Sequence, residues 1–495
     1  MKRWNLSIVL FACFLALFPL ASCGKKTPDN PDSIITEDQE TEEGYNYNFN
    51  GKTLVILNSV NETIYPTSNR YIEGPESFDK ADNNVDHAVY QRNFWMQERL
   101  NMNFQYINMS VGYEEASQTV ERYLNSGTPI DLIISKLFPM ANMSLEGKFI
   151  NVANNSQFSF WEDYWYTDLM NDLSLDGGNT AFLMAGDYFM DVIQSANILI
   201  YNTQMMNDLW TEEGGDKAYK QSVLDGKWTL DDLITMVKNV AGDSTDSTKL
   251  GLAIDQYWAP MIPLIISSDL SFIKQTESAI TVDMNMDKCT SLFEKMKNLF
   301  ESDGTTKMVK DGDYVYNTAD HTTALSQFDS KNALFIGGVR FGSLGIFTNS
   351  PVEWSVVPYP KFDKEQENYI TPTHDTTEVG AIPTICTDQE TVMTIIELLS
   401  KRTHQKVMPE YYDKMLKNRY GKDPVTAQLM DVIHDSMKGS FALAYSDYCD
   451  NALLWGYFYV PFCEGKTFST AYSSLRQSTN DYLSEMLKTW NRITK

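Results

Sequence analysis

The sequence predicts an α/β fold in two lobes, on three observations. Short aliphatic and β-branched runs alternate with longer amphipathic segments over most of the 495 residues, the rhythm of strands covered by helices. A body of this size exceeds what one hydrophobic core organises. Yet no internal repeat and no Pro- or Gly-rich linker marks a single joint, so two lobes connected by several short crossings reconcile size with continuity.

The elements follow in order. Structure is expected to begin at Lys52-Thr-Leu-Val-Ile-Leu57, a strand by composition. Val85, Val89, Met96 and Leu100 fall within about 60° of one face at 100° per residue, which predicts a helix over 84–101. Strands are expected at 104–107 and 131–134, the second after the turn Ser126-Gly-Thr-Pro129. Thr229 with Asp232, and Thr387 with Glu390, are spaced as capping boxes. They open helices whose apolar sides are Leu230, Leu233, Ile234 and Val237, and Val392, Ile395, Ile396 and Leu399. Leu292, Phe293, Met296, Leu299 and Phe300 form a third stripe, and Leu475, Leu483, Met486 and Trp490 mark a last long helix. All these stripes are expected to be core, as is the ring cluster of Trp161, Trp165 and Tyr166.

With 66 acidic against 40 basic residues the net charge is −26, so attraction to phosphate backbones is disfavoured and nucleic acid is not an expected partner. The same chain carries 10 Trp, 27 Tyr and 25 Phe, more rings than a core alone needs. Its six cysteines contain no C-x-x-C pair, so neither a zinc ribbon nor a redox motif is indicated. Cys449 and Cys463 are close enough to be bridged; the alternative is four small buried thiols in the body.

Lys2 and Arg3 precede an apolar run over 8–20 and then Leu20-Ala-Ser-Cys23-Gly24, the layout of a secretory signal whose apolar part is too short for a membrane span. The Leu-Ala-Ser-Cys ending resembles the bacterial lipobox, which implies a signal peptide over 1–22 and lipidation of Cys23. Cleavage there removes two basic residues and no acidic one, leaving 38 basic against 66 acidic residues, a net charge of −28. Two acyl signals would then hold the chain where one could not. Residues 23–49, with Pro28, Pro31 and an acid-rich stretch, have no apolar period and read as a disordered tether. The expected location is the extracytoplasmic face of a bacterial cell membrane.

Motifs for chemistry are missing. H-E-x-x-H, G-x-S-x-G and G-x-G-x-x-G do not occur, and the two Gly-Lys-Thr triplets at Gly51 and Gly465 have Asn46 and Val460 where a phosphate loop needs its leading glycine. His87, His321, His374, His404 and His434 have no ligand spacing. Asp283, Asn285, Asp287 and Glu294 follow calcium-loop spacing, but Lys288 stands where the sharp turn requires glycine. No catalytic residue, metal or cofactor is therefore expected, and among the acids no local pattern singles out a glycosidase pair.

Four stretches together resemble the extracellular solute-binding proteins of ABC importers, the family 1 group that includes maltose-binding protein. They are the lipobox, Asn197-Ile-Leu-Ile-Tyr-Asn202 with Met205-Met206, Val223-Leu-Asp-Gly-Lys-Trp-Thr-Leu-Asp-Asp-Leu233, and Trp354-Ser-Val-Val-Pro-Tyr-Pro-Lys361. Asp172-Leu-Ser and Gly380-Ala-Ile-Pro383 extend the pattern, which spans most of 50–495. The resemblance implies a two-lobed periplasmic-binding-protein-like fold of type II, with hinge strands and a ligand cleft between the lobes. Lobe 1 would be 50–196 plus 356–400, and lobe 2 would be 197–355 plus 401–495. It also implies closure of the lobes over ligand, which then favours docking to separate permease subunits.

A sugar offers apolar C–H faces and a rim of hydroxyls, so its cleft wants flat rings beside carboxylates, amides or Arg. Tyr257 and Trp258, after the strand Leu250-Gly-Leu-Ala-Ile254, stand where the resemblance implies an aromatic platform, as does Trp455 in Leu453-Leu-Trp-Gly-Tyr457. Arg340 follows Phe335-Ile-Gly-Gly338 at a strand end. Glu62 and Phe138 lie at the carboxyl ends of first-lobe strands, the usual ligand edge of an open α/β sheet. Asp187 and Tyr188 precede the first crossing, and His374 with Asp375 follow the last. The reading is a lipid-anchored, monomeric substrate-binding protein whose partners are a carbohydrate or other polar solute, ABC permease subunits and, through its anchor, the membrane. Its alternatives are a secreted glycoside hydrolase or lyase and a non-transport adhesion or sensor lipoprotein.

Overall fold

The computed structural model describes residues 45–60, 68–110, 112, 115–242, 249–276, 278–306, 322–421 and 423–494. The signal segment, Cys23, all but the last five residues of the 23–49 tether, and Glu62 lie outside them. Two units separate, Met1–Tyr45 and Asn46–Lys495, and the second is described here.

The aliphatic run at Lys52 becomes β1 (Lys52–Val60), which lies parallel to β2 (Met102–Ser110) along its whole length. On its other side it pairs in parallel with β3 (Leu132–Lys136). Leu54 to Val60 are all buried, as expected of a central strand covered on both faces, which has no reason to alternate polar residues. β4 (Asn197–Asn202), β5 (Leu250–Ala253), β8 (Ala333–Arg340) and β9 (Trp354–Val357) make a second sheet, in the order β5-β8-β4-β9. Here β5 and β8 are parallel, while β4 runs antiparallel to both its neighbours. A hairpin of β6 (Ile273–Gln275) and β7 (Ile280–Val282) and a parallel pair of β10 (Thr371–Pro372) with β12 (Met437–Lys438) are smaller. After β10 the chain returns to the first sheet as β11 (Glu378–Ala381), antiparallel to β3 with Glu378 opposite Lys136. The first sheet therefore reads β11-β3-β1-β2.

The predicted helix over 84–101 is Asn84–Leu100. Asn83 caps it by accepting from Val85 N at 2.9 Å and Asp86 N at 3.1 Å, and Asn101 ends it in the left-handed region at φ 50°. Thr229 and Asp232 form the expected reciprocal cap, Asp232 accepting from Thr229 N at 2.9 Å and Thr229 Oγ1 from Asp232 N at 3.4 Å. At 387 the structure differs: the helix Gln389–Arg402 starts from Asp388 with no side-chain cap. Glu390 accepts instead from Gln157 Nε2 at 3.1 Å, so a long-range partner takes the carboxylate that a capping box would use. The stripes on Met286–Phe300 and Phe468–Ile493 face inward, except that Leu475 is only half-buried. Trp165 is buried, but Trp161 is 80% exposed and is not core.

None of Cys289, Cys386, Cys449 and Cys463 is in a disulfide, so the Cys449–Cys463 bridge is not formed. Asn285 of the calcium-like spacing serves as a helix cap, accepting from Lys288 N at 3.0 Å. Among the described residues no cluster of His, Cys, Asp and Glu could hold a metal ion, and no helix is long and apolar enough to cross a membrane. One apolar cluster runs from Val85 and Val89 through Ile193 and Tyr411 to Ile198, Ile336 and Val356 of the second sheet.

Candidate functional site

Three short segments are tied together where the chain passes between the sheets. His374 N donates to Ser195 O at 2.9 Å, Phe341 N to Ala196 O at 3.1 Å, and Asn197 Nδ2 to Pro372 O at 3.0 Å. Arg340, the last residue of β8, reaches this point through a bulge. Ile198 faces Val339 but Ile200 faces Ile336, so Gly337 and Gly338 together oppose one residue of β4. Gly338 has φ 75°, a conformation that glycine adopts without penalty. The Gly-Gly pair thus re-aims the strand end that carries Arg340.

β5 ends at Ala253 and the chain turns into the helix Trp258–Ser267. The half-buried Trp258 ring meets His374 edge-on, with centroids 5.8 Å apart at 65°. Its indole nitrogen is buried without a hydrogen-bond partner. His374 Nδ1 lies 2.6 Å from Asp375 Oδ1. Burial alone would raise the Asp375 pKa, but the His374 ring and the Arg340 guanidinium outweigh it and hold the carboxyl below its ordinary value. Asp191 shows the opposite balance. Burial raises its pKa although Glu378 N donates to it at 2.8 Å and Arg340, Lys136 and His374 all favour its charge.

Lys136 ends β3 inside the protein. Its Nζ is 3.8 Å from Glu378 Oε1 and 3.4 Å from Ser59 Oγ, with 3% and 4% of the lysine and glutamate side chains exposed. Lys136, Arg340 and His374 therefore share one region with Asp191, Asp375 and Glu378. This is a nearly balanced polar floor in an acidic chain, with a tryptophan beside it. Such a floor can donate to and accept from hydroxyl groups while the ring covers an apolar face.

Of the residues singled out from sequence, Trp258, Arg340, His374 and Asp375 come together here. Phe138, buried in the helix Leu137–Leu145, and the half-buried Trp455 form a separate edge-to-face pair at 6.0 Å and 80°. Tyr257 points inward, its ring 5.8 Å from Phe300 and 5.3 Å from Phe462. Asp187 is buried and accepts from Tyr166 Oη at 2.8 Å and His404 Nδ1 at 2.7 Å. Tyr188 is fully buried, with the Arg92 guanidinium 4.9 Å from its ring centroid. These last three sit beside strand ends in the chain, but their side chains turn into the interior.

Lys136, Asp191 and Glu378 were not anticipated. Their signal was weak: a lysine closing the apolar strand Leu132-Ile-Ile-Ser, and a lone aspartate inside Tyr188-Phe-Met-Asp-Val-Ile193.

No protein-family model matches the chain, and no curated protein matches it by sequence. Solved structures do match. One is the galacto-N-biose/lacto-N-biose I-binding protein of an ABC transporter from Bifidobacterium longum, in complex with lacto-N-biose. It is 10% identical, with 88% of this chain and 98% of that one covered at a TM-score of 0.57. A cyclo/maltodextrin-binding protein complexed with maltotetraose is 12% identical, with 87% and 97% covered at 0.54. An ABC substrate-binding protein from Listeria monocytogenes in complex with cycloalternan is 10% identical, with 87% and 98% covered at 0.52. The chain has the two-lobed α/β fold of solute-binding proteins.

Proposed function

We propose that the chain is a family 1 solute-binding protein of an ABC importer, and that it captures a carbohydrate, in particular an oligosaccharide, and delivers it to membrane permease subunits. The observation that carries this reading is the polar floor with its adjoining ring. Lys136 ends a strand of the first sheet, Arg340 ends a strand of the second, and Trp258, His374 and Asp375 meet where the chain crosses between them. The fold neighbours, solved with lacto-N-biose, maltotetraose and cycloalternan, support the same ligand class.

On this reading lobe 1 comprises 50–196 plus 356–400 and carries the first sheet, and lobe 2 comprises 197–355 plus 401–495 and carries the second. Closure about the crossings would bring Trp258, and the pair Phe138 and Trp455, against the solute. The protein does no bond chemistry. It acts as a monomer at the outer face of the cell membrane, tethered through residues 23–49 and a lipidated Cys23.

A thermal-shift screen with lacto-N-biose, maltotetraose and cycloalternan tests the reading. A ligand at 100-fold over its Kd adds about 2.7 kcal/mol to stability, and small-angle scattering should show compaction with the same sugar. No shift with any saccharide would defeat the proposal. New reducing ends on incubation would assign the chain to glycoside cleavage instead.

A further inference from the structure

A cavity of 270 Å³ opens beside the polar floor. Its wall includes Arg70, Arg340 and Arg419, with Asp191 as the one carboxylate among the lining residues. The whole chain has ten arginines and 66 acidic residues, so three of its ten arginines meet at one cavity. They come from distant segments: the helix Ser68–Ile72, the end of β8, and the segment Pro409–Tyr420.

The charges do not all cancel. Arg70 is held by Asp86, its Nε 2.7 Å from Oδ1 and its Nη2 2.6 Å from Oδ2, so that pair is internally satisfied. Arg340 faces Asp191 and Asp375. Arg419 is exposed, its guanidinium 5.7 Å from the Tyr420 ring.

The same wall holds hydroxyl donors. Tyr411 is 1% exposed, and its buried hydroxyl makes no well-formed hydrogen bond although Gln194 faces it. A buried hydroxyl without a partner costs about 1–3 kcal/mol, which a guest acceptor would recover. Burial also keeps Tyr71 protonated, its pKa pushed up to about 12. Tyr411 and Arg419 belong to a stretch wound with i to i+5 hydrogen bonds, Gly421 N reaching Leu416 O at 3.0 Å. Such winding is rare and is concentrated at functional sites. The cavity is just below the roughly 300–1,000 Å³ of sites that take drug-sized ligands, so it suits one ring and not a chain.

We infer that this cavity seats one acidic sugar unit, a pyranose-sized ring whose carboxylate faces Arg340 and Arg419 and whose hydroxyls meet Tyr411 and Gln194. The inference rests on the saccharide reading above and narrows it from carbohydrates in general to uronate-bearing ones. It also places specificity in the segment Pro409–Tyr420, apart from the floor at Trp258.

Titration calorimetry on the full chain with digalacturonate, its dimethyl ester and maltotetraose, each at 20 and 200 mM NaCl, separates the possibilities. The acid should bind at least tenfold tighter than its ester and should weaken with salt, as a charge-assisted contact does. Arg419→Gln should abolish the advantage of the acid over its ester, and Tyr411→Phe should weaken the acid about fivefold, with circular dichroism melts confirming that both variants fold. Equal binding of acid and ester, or an acid advantage that survives Arg419→Gln, overturns this inference. If the ester or maltotetraose binds and the acid has no advantage, only the acidic-sugar assignment fails. If none of the three binds, this inference fails, and the saccharide reading fails with it only where the thermal-shift screen is also blank.

Discussion

Replacing Glu378 with glutamine tests the buried charge pair without knowledge of the ligand. The Lys136 ammonium and the Glu378 carboxylate are 3.8 Å apart and almost wholly buried. At an effective dielectric constant of about 20 their attraction is about 4 kcal/mol. Removing one member of such a pair leaves the other charge uncompensated, which costs roughly 3–5 kcal/mol. Asp191 feels Lys136 and accepts from the backbone of residue 378, an interaction that glutamine preserves. The loss should therefore fall at the lower end, about 3 kcal/mol.

Lys136→Met should cost a similar amount, because Glu378 would then lie buried beside Asp191. The double variant Lys136→Met/Glu378→Gln removes both charges and should lose about 3–4 kcal/mol where the two singles sum to about 6, a coupling of about 2–3 kcal/mol in the cycle. Urea unfolding followed by both tryptophan emission and circular dichroism measures this, provided the two signals coincide. Single losses below about 1 kcal/mol, or a double variant equal to the sum of the singles, would refute the reasoning.

Other expectations are read from single residues. Trp258→Ala should weaken binding of whichever saccharide gives the largest thermal shift by about 30-fold, from roughly 80 Å² of ring face at about 25 cal/mol per Å². Trp258→Phe, which keeps one ring but removes the indole N–H and the pyrrole part of the face, should cost at least about fivefold. Trp161→Ala, at a ring that is 80% exposed, should change nothing, and an equal effect at both tryptophans would exclude Trp258 from the cleft. Gly251→Ala would place a Cβ 2.3 Å from Val237 Cα and 2.6 Å from Val237 O, forcing the helix Leu230–Gly242 off its sheet. A loss of about 1–3 kcal/mol in urea should follow, and an unchanged midpoint would show that the packing is looser than described. His404 has a raised pKa because of its hydrogen bond to Asp187. The folded protein holds that proton more tightly, so the stabilisation is complete below about pH 6.5 and is lost as pH rises through the folded value. His404→Gln should remove this slope above about pH 6.5, and an unchanged slope would assign it to other groups.

Much of the fold was legible because its signals are local. The uninterrupted apolar run of β1 and the apolar faces of Asn84–Leu100 and Met286–Phe300 are periodicities within one segment. The Gly-Gly before Arg340 was visible too, although its meaning as a bulge needed β4 opposite it. The cap at Thr387 failed for the same reason that it looked good. Its glutamate is an acceptor, and a glutamine from residue 157 claims it first. Tyr257, Asp187 and Tyr188 show the limit of strand-end logic. Position in the chain places the backbone near a cleft, but only packing decides whether the side chain turns outward or, as with Tyr257, between Phe300 and Phe462.

The polar floor was half legible, Arg340, His374 and Asp375 standing out in the sequence and Lys136, Asp191 and Glu378 not, for a reason that bears on function. Its charges come from distant segments, Lys136, Asp191, Arg340 and the stretch holding His374, Asp375 and Glu378, and only that last stretch puts several members into one window of sequence. Each is expensive to bury alone and tolerable only beside the others. The floor is therefore assembled by the crossings themselves, and the backbone bonds from His374 to Ser195 and from Phe341 to Ala196 hold its parts in place. On the two-lobe reading these bonds lie at the pivot, where rotation moves atoms least. The charges then stay organised in open and closed forms, while Trp258, one helix start away, is free to travel with its lobe. A floor that keeps its shape and rings that move onto the ligand are what selection of a closed state by a polar, ring-faced solute requires.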